Sequence, residues 1–325
     1  MKLNSNLTGT PLTPLSIHVG WRETMNYAAA IFDDNPAYFD DERPQGMVAH
    51  PMFTAAATWP VVGNLGGHIQ GDDFPHEVLF TQVHHTEHIT FHRLIRPGDQ
   101  LTLSGKIAAI LPHRAGTRAV VRLDATDPKN RPVFTEHIGA MMRGVECEGA
   151  GKGEEDLPEA LEKNREKNPA PNPNFTPTSN LNPNPAPKPG SNPKPDPNPA
   201  MWQAKIPIPQ WMPHVYDGCS NIVFPIHTSK KFAHSVGLPG ILLQGTAALA
   251  LGITEIINRE AGGHPRAVKE LSARFTGMVA PGSTIVVKKT GSLFKSGVKE
   301  IHFEIINEQR RRAISKGRVV LDIFP

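Results

Sequence analysis

The sequence has few cysteines and almost no excess charge of one sign. Its 325 residues include two cysteines, and 34 basic side chains stand against 31 acidic ones, which gives a formal net charge of +3. Cys147 and Cys219 lie far apart and form no CxxC pair, so we expect no disulfide framework. A charge excess this small and dispersed disfavours nucleic acid as the main partner and favours small molecules.

Long apolar runs and targeting signals are also missing. The longest apolar stretch, 240–257, is interrupted by Gln244, Thr246 and Glu255, so no membrane partner is expected. The N-terminus lacks the apolar block of a signal peptide, and the C-terminal Ile-Phe-Pro is not a peroxisomal address. These absences predict a cytoplasmic protein.

One segment has almost no apolar side chains. Between Pro169 and Pro199, 12 of 31 residues are proline and 7 are asparagine. Such a segment cannot bury enough apolar surface to offset the entropy lost on ordering. We therefore predict a disordered Pro/Asn-rich linker at 149–200, between an N-terminal domain at 1–148 and a C-terminal domain at 201–325. A charge-rich stretch at its start, 154–167, is compatible with a short solvated helix.

The two flanking segments repeat each other. YAAAIFDDNPAY, which starts at Tyr27, superposes without a gap on YDGCSNIVFPIH, which starts at Tyr216. FHRLIRPGDQLTL and FTGMVAPGSTIVV also share one spacing between Phe and Pro-Gly. A third match pairs Thr54-Ala-Ala with Thr246-Ala-Ala. Three matches in the same order indicate an internal duplication.

Each half also shows the same order of secondary structure. An apolar helical stretch, 53–62 in the first half and 242–257 in the second, precedes four segments of strand character separated by turn residues. The short separators favour antiparallel hairpins over parallel crossovers. We therefore predict an α+β protein in which a buried helix is wrapped by an antiparallel sheet, twice.

These segments resemble the hydratase motif of MaoC-like (R)-specific enoyl-CoA hydratases and 3-hydroxyacyl-thioester dehydratases. In that motif an aromatic residue leads to Asp-x-Asn-Pro-hydrophobic-His, and a His-Gly pair follows at the start of the central helix. FPIHTSKKFAHSVGLPGILLQGTAAL resembles its continuation, and HHTEHITFHRLIRPGDQLTL resembles a strand and turn of the two-domain members. The resemblance implies a double hotdog fold, an acyl-CoA or acyl-carrier thioester substrate and no cofactor, and it leaves open a homodimer.

The resemblance also implies a chemistry and a set of site residues. Water addition to a 2-enoyl thioester needs a base, an acid for Cα and donors to the thioester oxygen, which an Asp-His pair and helix N-terminal amides can supply. The first half keeps Asp33 and Asn35 but has Tyr38 at the histidine position. The second half keeps His227 but has Ile222 at the aspartate position. Neither half therefore has the complete pair.

Three interpretations of His227 remain open. It is catalytic together with Asp217, Asn221 or Gln244, with the Gly245 amide as oxyanion donor; or it meets Asp33 across the two halves; or it is structural. The first interpretation predicts a hydratase or dehydratase of fatty acyl or secondary metabolism. A thioesterase of the same fold and an inactive acyl-CoA-binding protein are the alternatives.

A histidine-rich stretch, HHTEHITFH at 84–92, raises the question of a metal site. Three of its histidines recur at every fourth residue, a spacing that aligns ligands on a helix. The stretch has strand character, however, and on a strand successive members would lie about 13 Å apart. We therefore predict no metal.

Overall fold

A computed structural model describes residues 1–71, 73–162, 201–295 and 297–322. Its main feature is one ten-stranded antiparallel sheet, to which each half contributes five strands. The predicted α+β architecture of two helix-and-sheet repeats is confirmed.

The first half contains seven strands, five in the large sheet and two in a separate pair. The strands are β1 (Lys2–Asn4), β2 (Pro11–His18), β3 (Gln82–Phe91), β4 (Gln100–His113), β5 (Gly116–Thr126), β6 (Pro132–Arg143) and β7 (Glu146–Glu148). The helices are α1 (Trp21–Ala30), α2 (Pro36–Phe39), α3 (Phe53–Val62), α4 (Leu65–His68) and α5 (Glu159–Glu162). Strands β1 and β7 form a separate parallel pair.

The second half repeats this order with a longer central helix. Its strands are β8 (Gln203–Pro207), β9 (Val268–Phe275), β10 (Thr284–Lys295), β11 (Val298–Ile306) and β12 (Arg312–Asp322). Its helices are α6 (Met212–Ser220), α7 (Lys230–Ser235) and α8 (Gly245–Glu260). Helix α8 is apolar on most of its surface and almost entirely buried, as its composition predicts, whereas α3 contains Pro60 and is shorter.

The strands of the sheet run in the order β2-β4-β5-β6-β3-β9-β12-β11-β10-β8, so the halves join edge to edge through β3 and β9. His88 pairs with Ser272 at the centre of this antiparallel contact. At the same junction, the Tyr27 hydroxyl lies 3.0 Å from the Tyr216 hydroxyl, and these two residues hold equivalent positions in the repeats. The junction therefore lies on a pseudo-two-fold axis that relates the halves.

The start of the predicted linker is structured. Lys152 pairs with Ile110 as an isolated bridge, and Leu157 and Leu161 are buried against Ala108, Ala109 and Val120 on the sheet. Residues 149–162 therefore cover part of the first half's outer face, a packing that a disordered segment would not show. The proline-rich remainder, 163–200, lies outside the described residues.

Candidate active site

Backbone hydrogen bonds establish which residues of the two repeats are equivalent. The Val48 amide donates to the Ala37 carbonyl in the first half, as the Leu242 amide does to the Ile226 carbonyl in the second. One residue on, the Ala49 amide donates to Ile95 and the Leu243 amide to Val279. These bonds place Tyr38 opposite His227, and His50 opposite Gln244. The predicted match of Thr54-Ala-Ala with Thr246-Ala-Ala was therefore wrong by two residues, because Thr246 is equivalent to Met52 and not to Thr54.

His227 lies at the end of a short 3₁₀ turn, Pro225–His227, and is half-buried. Its Nδ1 lies 2.9 Å from the Leu242 carbonyl oxygen, which can only accept, so Nδ1 carries the proton. Burial lowers the pKa of His227, with the Leu242 bond acting against that shift. The ring is therefore neutral near pH 7, and its Nε2 lone pair is available as a base.

The N-terminus of α8 follows shortly after Leu242, the residue whose carbonyl binds His227. Gly245 is the first helical residue and is exposed, and its amide is one of the helix-start donors that have no partner inside the helix. A Cβ at Gly245 would lie 3.0 Å from the Phe275 ring, a contact tighter than side chains usually make. This helix end can stabilise negative charge on a bound oxygen.

Gln244 is the N-cap residue of α8, but its side chain makes no capping hydrogen bond. Its Nε2 donates to the Pro213 carbonyl of α6 at 3.0 Å, and the side chain is buried. Its Oε1 is buried and has no hydrogen-bond partner among the described residues. Gln244 therefore ties α8 to α6 and keeps one unused acceptor.

The other predicted partners of His227 lie on or beside α6. Asp217 is half-buried one turn after Pro213, burial raises its pKa, and its Oδ1 has no partner within the described segments. Asn221 ends α6 in the left-handed conformation, with φ of 56°, and is exposed. Ile222 is buried at the expected aspartate position. Across the described chain, no carboxylate is recorded in contact with His227.

In the first-half cluster, a buried hydrogen-bonded chain joins Asp33 and His50 of the first half through Thr254 of α8. The Thr254 hydroxyl donates to Asp33 Oδ2 at 2.9 Å and lies 3.2 Å from His50 Nε2. Because His50 Nδ1 accepts from the Met52 amide, its proton is on Nε2 and that nitrogen donates to Thr254. Burial lowers the pKa of His50 to about 3 and raises that of Asp33, which the bonds from Thr254 and Asn35 oppose.

This first-half cluster is closed to solvent and has lost two functional groups. Asp33 is 3% exposed and His50 is 1% exposed. Pro51, opposite Gly245, has no amide proton to offer an oxyanion. Tyr38 replaces the histidine, and burial raises its pKa well above 10. The cluster therefore lacks the base, the amide and the access that the second half retains.

The structure brings together only some of the predicted residues. Asp33 contacts Thr254 and Asn35, whereas His227 contacts Leu242, and no contact between Asp33 and His227 occurs in the described ranges. Asn35 caps α2 and donates to the Gly263 carbonyl of the other half at 2.7 Å. The cross-half pair of Asp33 and His227 is therefore not formed.

Sequence reasoning missed His50 and Thr254. His50 holds the position at which the family has the histidine of its His-Gly pair, so the duplication, aligned through the helix starts, would have identified it. Thr254 gave no signal, because it lies in mid-helix in the opposite half and reaches Asp33 only through packing of α8.

Comparisons with known proteins agree with this architecture. Residues 202–314 match the MaoC like domain, and residues 6–136 match the FAS1-like dehydratase domain region. A 91-residue stretch is 30% identical to the peroxisomal enoyl-CoA hydratase 2 of Arabidopsis thaliana. That match covers 28% of this chain and 28% of the plant protein, so the chain matches less than a third of this curated relative.

Solved structures show the same fold. A MaoC-like dehydratase from Phytophthora capsici superposes with a TM-score of 0.72 at 18% identity over 97% of both chains. A Mycobacterium tuberculosis protein described as a double hotdog superposes with a TM-score of 0.55 at 13% identity, over 94% of this chain and 93% of that one. None of the described helices is long and apolar enough to cross a membrane. The chain therefore has the double hotdog fold, with a MaoC like domain in its second half and a FAS1-like dehydratase region in its first.

Proposed function

We propose that this protein adds water to 2-enoyl thioesters, or removes it from 3-hydroxyacyl thioesters, at the second-half site. One observation carries the proposal. His227 is held by the Leu242 carbonyl in the tautomer that leaves Nε2 unprotonated, next in the fold to the exposed N-terminus of α8. A base beside an oxyanion-stabilising helix end is what this reaction requires.

In the proposed mechanism, His227 Nε2 takes a proton from the water whose oxygen bonds to C3 of the enoyl group. The electron pair of the double bond moves towards the thioester oxygen, which accepts a hydrogen bond from the Gly245 amide. The imidazolium then returns its proton to C2, which balances the addition. The unused acceptors of Gln244 and Asp217 are the candidates for orienting the water.

The printed name of the plant relative, an enoyl-CoA hydratase, supports a coenzyme A thioester as substrate. An acyl-carrier thioester would present the same reacting atoms. The reaction direction follows from the supply of the two thioesters and is not set by the site, because both directions use the same groups.

The test is the hydration of crotonyl-CoA and longer 2-enoyl-CoAs, followed as loss of the conjugated enoyl thioester. His227→Gln should reduce kcat/KM by about 10²- to 10⁴-fold, the usual contribution of a general base. His234→Gln, an exposed histidine on α7, is the matched control and should retain full activity. Absence of wild-type turnover at every chain length, or full activity of His227→Gln, would refute the proposal.

A second candidate is an acyl-thioester-binding protein without turnover. It is favoured by one specific observation, the buried Ile222 where the family has its aspartate. This candidate predicts a rise in Tm with acyl-CoA concentration and no product. Release of free CoA thiol, detected with a thiol reagent, would instead indicate a thioesterase.

A further inference from the structure

Three buried hydroxyl groups form a hydrogen-bonded chain at the joint between the halves. Tyr27 of α1 and Tyr216 of α6 are both 0% exposed, and their hydroxyl oxygens lie 3.0 Å apart. The Tyr216 hydroxyl donates to Thr246 Oγ1 at 3.1 Å, and Thr246 is the second residue of α8. The chain therefore runs from the first half to the helix start at Gly245.

The direction of each bond follows from the number of protons. A hydroxyl group has one proton, and that of Tyr216 is used on Thr246, so Tyr27 must donate to the Tyr216 oxygen. Burial raises the pKa of Tyr216 to about 12. Burial and the neighbouring Tyr216 raise the pKa of Tyr27 well above 10, with smaller contributions from the buried carboxyl groups of Glu87 on β3 and Glu136 on β6. Both phenols therefore stay protonated near pH 7, and both protons point towards α8.

The proton of the Thr246 hydroxyl is left over. Because Thr246 Oγ1 accepts from Tyr216, its own proton must point to another acceptor, and the described part of the chain contains none for it. Side chains of an α-helix lean towards its N-terminus, so this hydroxyl lies towards the helix start that presents the Gly245 amide. Thr246 is 8% exposed whereas the two tyrosines are fully buried, so the chain is accessible only at this end.

The first half has no equivalent of this donor. Thr246 corresponds to Met52, whose thioether has no proton to donate. Tyr27 corresponds to Tyr216, but its hydroxyl bonds to the other half and not to its own helix α3. Both tyrosines of the duplicated motif therefore serve one helix start, the one that begins with the exposed Gly245.

We propose that the Thr246 hydroxyl is a second donor to the thioester oxygen, beside the Gly245 amide, and that Tyr27 and Tyr216 are positioning residues that aim it. The inference rests on the proposed function, because it places a thioester at the start of α8. Negative charge develops on the thioester oxygen as water adds to C3, which strengthens a hydrogen bond to that oxygen and makes the donor act on kcat more than on KM. The two tyrosine bonds fix the orientation of the Thr246 hydroxyl and polarise it.

Thr246→Val removes the hydroxyl and keeps nearly the same shape, and Thr246→Ser restores the hydroxyl. In crotonyl-CoA hydration, Thr246→Val should lower kcat by about 10²-fold with KM nearly unchanged, the usual effect of losing one oxyanion donor, and Thr246→Ser should recover most of kcat. Tyr216→Phe should lower kcat by about tenfold, and Tyr27→Phe by less, because each only weakens the aim of the donor. Tyr38→Phe is the matched control, a buried tyrosine whose hydroxyl has no partner in the described ranges, and should leave both constants unchanged.

A chromophoric thioester, 2,4-hexadienoyl-CoA, reports the same bond without turnover, because a hydrogen bond to its carbonyl oxygen moves its absorption band to longer wavelength. The shift on binding to wild type should shrink in Thr246→Val and return in Thr246→Ser. Absence of crotonyl-CoA turnover by wild type refutes the proposed function alone, since the shift is still measured.

The inference is overturned if wild type and folded Thr246→Val give the same band shift, or if wild type gives no shift at all. If Thr246→Val does not fold, Tyr216→Phe decides the outcome, and a band shift equal to that of wild type then overturns the inference. A loss in Tyr38→Phe as large as that in Tyr216→Phe overturns it as well, because the effect would then not depend on the hydroxyl chain.

Discussion

Replacing Thr254 by valine tests whether the buried chain of Asp33, Thr254 and His50 stabilises the joint between the halves. Thr254 belongs to α8 of the second half, and its two partners belong to the first. Valine has nearly the same shape, so the substitution removes the hydroxyl and little packing. Asp33 Oδ2 loses a donor, and the His50 Nε2 proton loses its acceptor.

The magnitude follows from these two losses. Each buried group left without a partner costs about 1–3 kcal/mol, so the pair costs about 2–6 kcal/mol. Burial of the added methyl group returns roughly 0.8 kcal/mol. The free energy of unfolding should therefore fall by about 1–5 kcal/mol in Thr254→Val.

Urea denaturation at neutral pH, followed by tryptophan fluorescence and circular dichroism, measures this change. Thr54→Val is the matched control, because Thr54 is also buried and helical but bonds only to the Pro51 carbonyl of its own turn, so its loss should stay below about 1 kcal/mol. His50 Nε2 and Asp33 Oδ2 are 3.9 Å apart. If Thr254→Val loses no more unfolding free energy than the control, the reasoning is refuted, and His50 and Asp33 must then form a direct hydrogen bond in the variant.

Three further predictions concern single residues. Gly245→Ala places a Cβ 3.0 Å from Phe275 and should lower both stability, by about 1–2 kcal/mol, and kcat/KM, whereas helical Gly218→Ala, with nothing within 4 Å, should be neutral or slightly stabilising in thermal unfolding. The pKa of Glu87 is raised from 4.5 to about 8, so its contribution to stability is complete below pH 4.5 and is lost as pH rises towards 8. Glu87→Gln should therefore flatten the decline of unfolding free energy over that range, by up to about 1.4 kcal/mol per pH unit, in urea titrations at a series of pH values; an unchanged slope would contradict the assignment. Tyr38→Phe removes a buried hydroxyl that has no partner in the described chain, so the unfolding free energy should stay equal or rise by about 1 kcal/mol, and a clear loss in the same urea assay would reveal a bond that the structure does not contain.

The position of the catalytic candidates was partly accessible from the sequence. The matched spacing of Tyr27 and Tyr216 placed Tyr38 opposite His227, and the backbone bonds at Ala37 and Ile226 confirm that equivalence. Gly245 was identified through the resemblance to the family's His-Gly pair, whereas the predicted helical stretch began at 242 and the structure begins the helix at Gly245. The roles assigned to Asp217, Asn221 and Gln244 stay predictions, and the structure adds that Asn221 is exposed while the other two keep buried, unused acceptors.

The sequence itself determined the duplicated α+β architecture, because duplication, turn residues and helix periodicity are local patterns that are repeated in each half. The double hotdog fold was implied by the motif resemblance. What only the tertiary structure decided is which distant side chains meet. Thr254 reaches Asp33 because α8 of the second half packs against the first half. Glu87 comes to lie beside Glu136 because β3 pairs with β6 in the sheet. Such contacts leave no spacing rule in the chain. The closure of the first-half site by Thr254 and the buried pair of Glu87 and Glu136 could therefore be recognised only in the folded chain.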